Sequence, residues 1–252
     1  DGDGDGDGGE DLVLRGMIVR PGVTLIVGGG YHGKSTILRA IAGGVYDRPP
    51  GDGREYCVAA SSAVCVRAED GRHVSRLDIS PFLSGLPGAC TDTSSFSTRE
   101  ASGSTSQAAA VMEAAEGGAT CLLVDEDVSA ANFMSRDGRM RALIADESIT
   151  PLLYRVNGLY EDAGISSLVV VGGVGDWLDV PHRVLCMERY VALDVTQKAR
   201  SVSETFSYGH VQFAGRGVVH RLPWDLQRRR RRPRDPAALA GAAVSLTGDG
   251  RG

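Results

Sequence analysis

The feature that most constrains this chain is a glycine-rich loop, Gly28-Gly29-Gly30-Tyr31-His32-Gly33-Lys34-Ser35, of the form G-x-x-x-x-G-K-S. An apolar run rich in strand-forming residues, 24–27, precedes the loop. A helical pattern over residues 34–42 follows it and ends at Gly43-Gly44. The order strand, loop, helix is the context in which this pattern binds phosphate groups.

The chemistry of the loop predicts that it binds a nucleoside triphosphate. Glycine backbone N–H groups can surround an anion, and the positive end of the following helix faces the same place. Lys34 adds a formal charge, and Ser35 is placed to ligate Mg²⁺. The alternative is a glycine turn that happens to carry a lysine. The predicted phosphate-binding residues are Gly28, Gly29, Gly30, Tyr31, His32, Gly33, Lys34, Ser35 and Thr36.

A second pattern is an apolar run, 120–124, that ends in Asp125-Glu126. Continuous apolar runs of this length are typical of buried parallel strands, and ligands bind at the carboxyl ends of such strands. Asp125 is therefore a candidate metal residue beside Ser35, acting through the Mg²⁺ hydration shell. Glu126 is a candidate catalytic residue that polarises the attacking water, with Lys34 on the phosphates. The alternative is an acidic turn after an ordinary buried strand.

Composition and periodicity predict an α/β fold, with a mainly parallel sheet flanked by helices and a small β insertion. The 252 residues are 42% hydrophobic, enough for a sizeable core. Residues 1–11 are predicted to be a disordered acidic linker, 12–204 the nucleotide-binding domain and 205–252 a disordered basic tail. Further strands are predicted at 12–14, 17–19, 56–58, 64–67, 167–171, 184–187 and 191–193, a hairpin turn at 69–72, and helices at 108–116, 134–145 and 150–164.

Charge is concentrated at the two ends of the chain. Residues 1–11 carry six acids, and residues 228–234 carry six arginines. Such an arginine run can neutralise phosphates on RNA or DNA and would give salt-sensitive binding. A solvated tail or an accident of translation frame explains the run equally well.

Cysteine usage and hydropathy bear on the compartment. The five cysteines are odd in number and widely spaced, and they show no zinc-binding spacing, which favours reduced thiols. No apolar run approaches the roughly 20 residues that span a bilayer. We therefore expect an intracellular, reducing compartment, cytoplasmic or mitochondrial, with no membrane partner.

Residues 101–107, Ala-Ser-Gly-Ser-Thr-Ser-Gln, carry a resemblance to a known family. They resemble the signature Leu-Ser-Gly-Gly-Gln-x-Gln of ABC-type ATPases, and residues 126–132 resemble the D-loop of that family. Ser102 lies 23 residues before Asp125, which matches the family interval. On its own, the segment 102–107 would read as a polar N-cap and first helical turn. The wider match, over about residues 15–200, is to a soluble family named predicted ATPases of the ABC class.

The resemblance implies a P-loop NTPase with an ABC-type, RecA-like core that uses ATP and Mg²⁺. It further implies a head-to-tail homodimer in which Ser102, Gly103 and Ser104 of one protomer approach the γ-phosphate bound by the other. The output would be a nucleotide-driven clamp. A member of that family is associated with mitochondrial RNA-processing complexes in trypanosomatids, which suggests RNA as a partner.

The chain also departs from the family pattern. No glutamine occurs between Ser35 and Gln107, so the usual Q-loop residue is missing. Asp176 stands near the position of the switch histidine and is a candidate catalytic residue, although a glycine turn with a solvated Asp explains it as well. No aromatic residue precedes Tyr31 to stack on adenine. These departures suggest an alternative, a nucleotide-gated RNA-binding scaffold with little or no turnover. A P-loop kinase would explain neither Ser102-Gly103 nor the D-loop-like stretch.

Overall fold

The computed structural model describes residues 16–86, 92–144 and 146–206. The predicted acidic linker, the predicted strand at 12–14 and the arginine run lie outside these residues. Of the predicted basic tail, only residues 205 and 206 are described. The domain boundaries proposed from composition therefore stay predictions.

The eight described strands form two sheets. They are β1 Val23–Gly28, β2 Ala63–Val66, β3 Arg72–Leu77, β4 Phe96–Ala101, β5 Cys121–Asp125, β6 Ser166–Val170, β7 Arg183–Glu188 and β8 Val191–Asp194. The main sheet has six strands in the order β2-β5-β6-β1-β7-β8. All neighbours in it are parallel except β7 and β8, which pair antiparallel through a tight turn. The predicted α/β fold with a mainly parallel sheet is confirmed.

Helices cover both faces of the main sheet. They are α1 Lys34–Gly43, α2 Gly103–Glu116, α3 Ala131–Met134, α4 Gly138–Leu143, α5 Val156–Glu161 and α6 Thr196–Thr205, with 3₁₀ turns at Glu126–Val128, Leu152–Tyr154 and Gly175–Asp179. Successive strand residues face opposite sides of a sheet. Leu25 accordingly lies in one hydrophobic core with α2, and Ile26 lies in the other core with Leu38 of α1. Helices α1 and α2 therefore pack on opposite faces of the sheet.

The β insertion differs from its prediction. The predicted hairpin at 69–72 is wrong, because β2 pairs with β5 in the main sheet and β3 pairs with β4 in a separate two-stranded sheet. Strand β4 lies in a stretch that looked like loop, since only Phe96 and Ala101 of its six residues are buried. Its Ser, Thr, Arg and Glu side chains hide the strand signal.

Two other predicted strands, 17–19 and 56–58, are not strands. Ile18 and Val58 are 69% and 86% exposed, so their apolar side chains have no sheet face to pack against. Helix prediction also erred in length. The helix predicted at 134–145 is two short helices, and α4 begins where Asp137 accepts hydrogen bonds from the N–H groups of Arg139 and Met140.

Helices α2, α5 and α6 also differ from the sequence prediction. Helix α2 begins at Gly103, five residues before the predicted start at 108, because Ser102 caps it. The predicted helix 150–164 is a 3₁₀ turn followed by α5, and α6 was not predicted. None of the helices in the described part of the chain combines the length and apolar character needed to cross a lipid bilayer.

Candidate functional site

The phosphate loop begins at the carboxyl end of β1, which lies between β6 and β7 in the sheet. Gly28 has a φ of 140°, and a Cβ there would collide with the carbonyl oxygen of Met187. Gly33 has a φ of 98°, and a Cβ there would lie 2.8 Å from Cδ1 of Tyr190. Both positions therefore require glycine, and β7 and the residues after it hold the loop close to the sheet.

Lys34 closes the loop from within. Its Nζ donates hydrogen bonds to the carbonyl oxygens of Gly28 and Gly29, both at 2.9 Å. Helix α1 starts behind it with Gly33 as an N-cap that offers no side-chain hydrogen bond, and its first turn holds no acidic residue. The positive N-terminal end of α1 and the Lys34 ammonium group therefore lie close together. No carboxylate in the first turn of α1 neutralises their charge.

The candidate metal residues supply hard oxygen donors. Ser35 is half-buried in the first turn of α1, and Asp125 is half-buried at the end of β5. Oδ1 of Asp125 accepts a hydrogen bond from the N–H of Asp127 at 3.2 Å. Within the described ranges, no group of three or more His, Cys, Asp or Glu side chains could cage a metal ion. A hydroxyl and one carboxylate fit Mg²⁺, which keeps several waters and takes other ligands from substrate phosphates.

Glu126 lies at the edge of the phosphate loop. Its Oε2 accepts hydrogen bonds from the backbone N–H groups of Gly172 and Gly173, the latter at 3.1 Å. A Cβ built on Gly172 would lie 3.7 Å from Glu126 Oε2 and 4.0 Å from Cε of Lys34. Strands β5, β6 and β1 are neighbours in the sheet, so their carboxyl ends bring Glu126, Gly172 and Lys34 together.

The backbone groups of Gly172 and Gly173 are the part of this arrangement that sequence reasoning missed. The sequence places both residues in a glycine turn within the family resemblance, and the candidate that it gives for that stretch is Asp176. Asp176 is half-buried in the 3₁₀ turn Gly175–Asp179, which the buried Trp177 anchors. The carboxylate at Gly172 belongs to Glu126 instead. A catalytic role for Asp176 stays a prediction.

The signature-like residues start helix α2. Ser102 is the N-cap, and its Oγ accepts a hydrogen bond from the N–H of Thr105 at 3.4 Å. A Cβ on Gly103 would lie 3.1 Å from Oδ1 of Asp70, so this position is crowded. Oγ of Ser104 donates to Oδ1 of Asn132 at 2.5 Å. The predicted D-loop-like segment and the signature-like segment are therefore in direct contact.

A buried glutamine connects these two segments to the end of β5. Gln107 is fully buried; its Nε2 donates to Oγ of Ser129, and its Oε1 accepts from the N–H of Ala130, both at 2.8 Å. Oγ of Ser129 in turn donates to the carbonyl oxygen of Asp125 at 2.7 Å. Gln107 was part of the family resemblance, but no role was predicted for it. An isolated Gln on an alanine-rich helix was the signal, because a buried amide must be hydrogen-bonded.

The described cysteines, Cys57, Cys65, Cys121 and Cys186, all carry free thiols. Burial, and to a smaller extent the neighbouring Cys65, raises the pKa of Cys121 to about 11. A thiol with so high a pKa stays protonated and unreactive near neutral pH. The compartment inferred from cysteine usage stays a prediction.

Comparison with known families decides the class of this site. The model of the ABC_ATPase family, a P-loop domain, matches residues 9–220. The chain belongs to the ABC_ATPase family. An uncharacterized protein of Methanocaldococcus jannaschii is 28% identical to this ABC_ATPase chain over 177 residues, which are 69% of this chain and 39% of the relative. The chain thus spans well under half of the relative's length.

Membership of the ABC_ATPase family agrees with three features of this fold. They are the phosphate loop, the Asp125-Glu126 pair at the end of β5 and the signature-like start of α2. It identifies a nucleotide-binding P-loop domain. The match to an uncharacterized relative gives no support to the suggested link with RNA-processing complexes.

Proposed function

We propose that this chain binds ATP with Mg²⁺ at the phosphate loop and hydrolyses it. The observation that carries the proposal is the position of Glu126, whose carboxylate is hydrogen-bonded to the Gly172 and Gly173 N–H groups beside the Lys34 side chain. Hydrolysis of a phosphoanhydride needs a phosphate anchor and a base for the attacking water. The three adjacent strands supply both within one edge of the sheet.

Phosphate binding is the role of the loop and Lys34. The ammonium group rests on two neutral carbonyl oxygens, those of Gly28 and Gly29. A phosphate oxygen is a charged acceptor and forms a stronger, charge-assisted hydrogen bond, so it competes well for the same donor. The open N-terminus of α1 adds its uncompensated N–H groups. Mg²⁺, held by Ser35 and by Asp125 through water, would neutralise charge on the phosphates.

Glu126 would position the attacking water and accept its proton. Two backbone N–H groups fix one carboxylate oxygen and leave the other to hydrogen-bond a water molecule. A positioned base of this kind contributes about 10²- to 10⁴-fold to the rate.

The active form that we propose is a head-to-tail homodimer that clamps on ATP and opens after hydrolysis. Helices α1 and α2 pack on opposite faces of the sheet, which favours a role for the start of α2 toward the phosphates of a second copy. Ser102, Gly103 and Ser104 would then complete the partner's site. We further propose RNA as what is clamped, contacted by the arginines at 228–234; the positive charge of that run is the support.

The test is steady-state ATP turnover by the purified chain, with Mg²⁺, in the presence and absence of RNA. Glu126→Gln should lower turnover about 10²- to 10⁴-fold while ATP still binds. The matched control is Asp127→Asn, which removes the same charge from the next, exposed residue and should keep wild-type turnover. Equal turnover in Glu126→Gln and the wild type would contradict the proposal. Binding of ATP and RNA without turnover would instead favour the scaffold alternative.

A further inference from the structure

The two sides of the phosphate loop differ. Glu126 and Gly172 lie on the β5–β6 side of β1, where the proposed function puts the terminal phosphate. On the opposite side β1 pairs with β7, and β7 ends in the turn to β8 at Arg189 and Tyr190. This turn therefore lies on the side of β1 away from Glu126.

We propose that the ring of Tyr190 is the platform on which a purine base stacks. The proposal rests on the proposed function, since it needs the triphosphate to occupy the loop. Stacking on an aromatic ring becomes stronger with the size of the base and needs no specific hydrogen bonds, so the ring would add affinity for ATP beyond that of its triphosphate.

The ring lies directly against the loop. A Cβ on Gly33 would be 2.8 Å from Cδ1 and 3.3 Å from Cε1 of Tyr190. The N–H of Tyr190 donates to the carbonyl oxygen of His32 at 3.2 Å. Lys34 follows Gly33 in the chain, so the ring lies one residue from the phosphate-binding lysine. The contact also fixes the ring, which reduces the entropy lost when a base stacks on it.

The ring is nevertheless open to solvent. Tyr190 is 70% exposed, although its backbone and one part of its ring pack on the loop. An aromatic ring held in place by one contact and exposed elsewhere offers a surface for a flat apolar ligand.

The backbone of the turn supports a functional reason for Tyr190. Arg189 and Tyr190 have φ values of 47° and 68° and link β7 to β8 as a two-residue hairpin loop. Such turns, with positive φ at both central residues, strongly favour Asn and Gly. A bulky residue with positive φ is uncommon and strained. Strained positions of this kind concentrate at ligand-binding sites. The chain thus keeps an aromatic ring where the turn itself would prefer glycine.

The experiment is calorimetric titration of four chains, the wild type, Tyr190→Ala, Tyr190→Phe and Tyr190→Gly, with ATP and separately with inorganic triphosphate. Loss of one stacked base weakens ATP binding about 5- to 150-fold. Tyr190→Ala and Tyr190→Gly should show this loss for ATP and keep wild-type affinity for inorganic triphosphate. Tyr190→Phe should bind both ligands like the wild type. Tyr190→Gly should also fold stably, since glycine suits the turn.

Tyr46→Ala is the matched control. Tyr46 is 74% exposed, close to the exposure of Tyr190, but it lies beyond the far end of α1, which is about 15 Å long. Its loss should leave both titrations unchanged. Unchanged ATP affinity in Tyr190→Ala, or an equal loss for ATP and inorganic triphosphate, would overturn the platform while leaving ATP binding intact. A wild type that binds neither ligand would overturn the proposed function as well.

Discussion

We propose a phosphate-binding role for two helix N-termini, and the residues around them differ. Helix α1 begins after Gly33, with no side-chain cap and no acid in its first turn. Helix α2 begins after Ser102, which already caps the N–H of Thr105. The carboxylate of Asp70 lies beside Gly103, 3.1 Å from where a Cβ would be.

The difference predicts which of the two helix starts can bind a phosphate without a second copy of the chain. The start of α1 has unpaired donors and Lys34, and it sits beside Glu126, so it needs only the nucleotide. The start of α2 is partly satisfied by its own serine and flanked by a negative charge, which weakens its attraction for free anions. We therefore expect the α2 start to engage a phosphate only when a second copy delivers it.

Lys34→Ala should abolish ATP binding and turnover. The ammonium group lies inside the loop, on the carbonyl oxygens of Gly28 and Gly29, and no other cation of α1's first turn replaces it. Isothermal titration calorimetry measures the binding. Lys198→Ala, which removes an exposed lysine of α6, is the control and should bind ATP normally. Unchanged ATP affinity in Lys34→Ala would refute the phosphate-loop assignment.

In the Glu126→Gln variant, ATP should hold two chains together in a stable dimer. The substitution slows hydrolysis, while Asp125 and the loop still hold Mg²⁺ and ATP. Light scattering at saturating ATP and Mg²⁺ should then show twice the monomer mass, and the same chain without ATP should be monomeric. A monomer under both conditions would remove the support for a shared site at the start of α2.

Gln107→Ala should lower turnover less than the two substitutions above, and it should affect only the segments around the start of α2. It removes two hydrogen bonds, to Ser129 and Ala130, and leaves the part-buried N–H of Ala130 without its acceptor, a loss of about 1–3 kcal/mol in unfolding free energy. ATP affinity should stay unchanged and turnover should fall. Urea unfolding and calorimetry measure the two quantities. Gln197→Ala, at an exposed position of α6, is the control. Loss of ATP affinity in Gln107→Ala would show that the two helix starts are coupled within one chain.

Much of the site around the start of α1 could be predicted from the sequence, because the patterns that predict it are local. The loop pattern, the apolar run of β1 and the run that ends in Asp125-Glu126 each lie within a short stretch, and the sheet is built from such strands. The parallel pairing of β5, β6 and β1 follows from the fold class. The approach of Glu126 to Gly172 does not, since it joins backbone groups 46 residues away in the chain.

The segments around the start of α2 were harder to predict, because many of their residues are polar. Strand β4 has few buried apolar residues, and it pairs with β3 although a long connection separates the two strands in the chain. The Gln107 network connects residues more than 20 positions apart through side chains. Tyr190 gave no sequence signal either, because its position over Gly33 depends on the antiparallel return of β8.

We expect the start of α2 to act only on a phosphate bound by a second copy, and the most direct test is a mixing experiment with Gly103→Asp and Lys34→Ala. Gly103→Asp should fold, bind ATP through its own loop and show no turnover, because a side chain and a second carboxylate beside Asp70 obstruct the incoming phosphate. Lys34→Ala should also be inactive. Only a mixed dimer joins an intact Lys34 of one protomer to an intact Gly103 of the other.

Random pairing makes half of the dimers mixed, each with one working site, so an equal mixture should recover about a quarter of wild-type turnover. Steady-state ATP hydrolysis across a titration of the two variants is the measurement. We expect two inactive chains and an active mixture with its maximum near equal amounts. Full turnover by Gly103→Asp alone would contradict this expectation, since the start of α2 would then take no part in the chemistry.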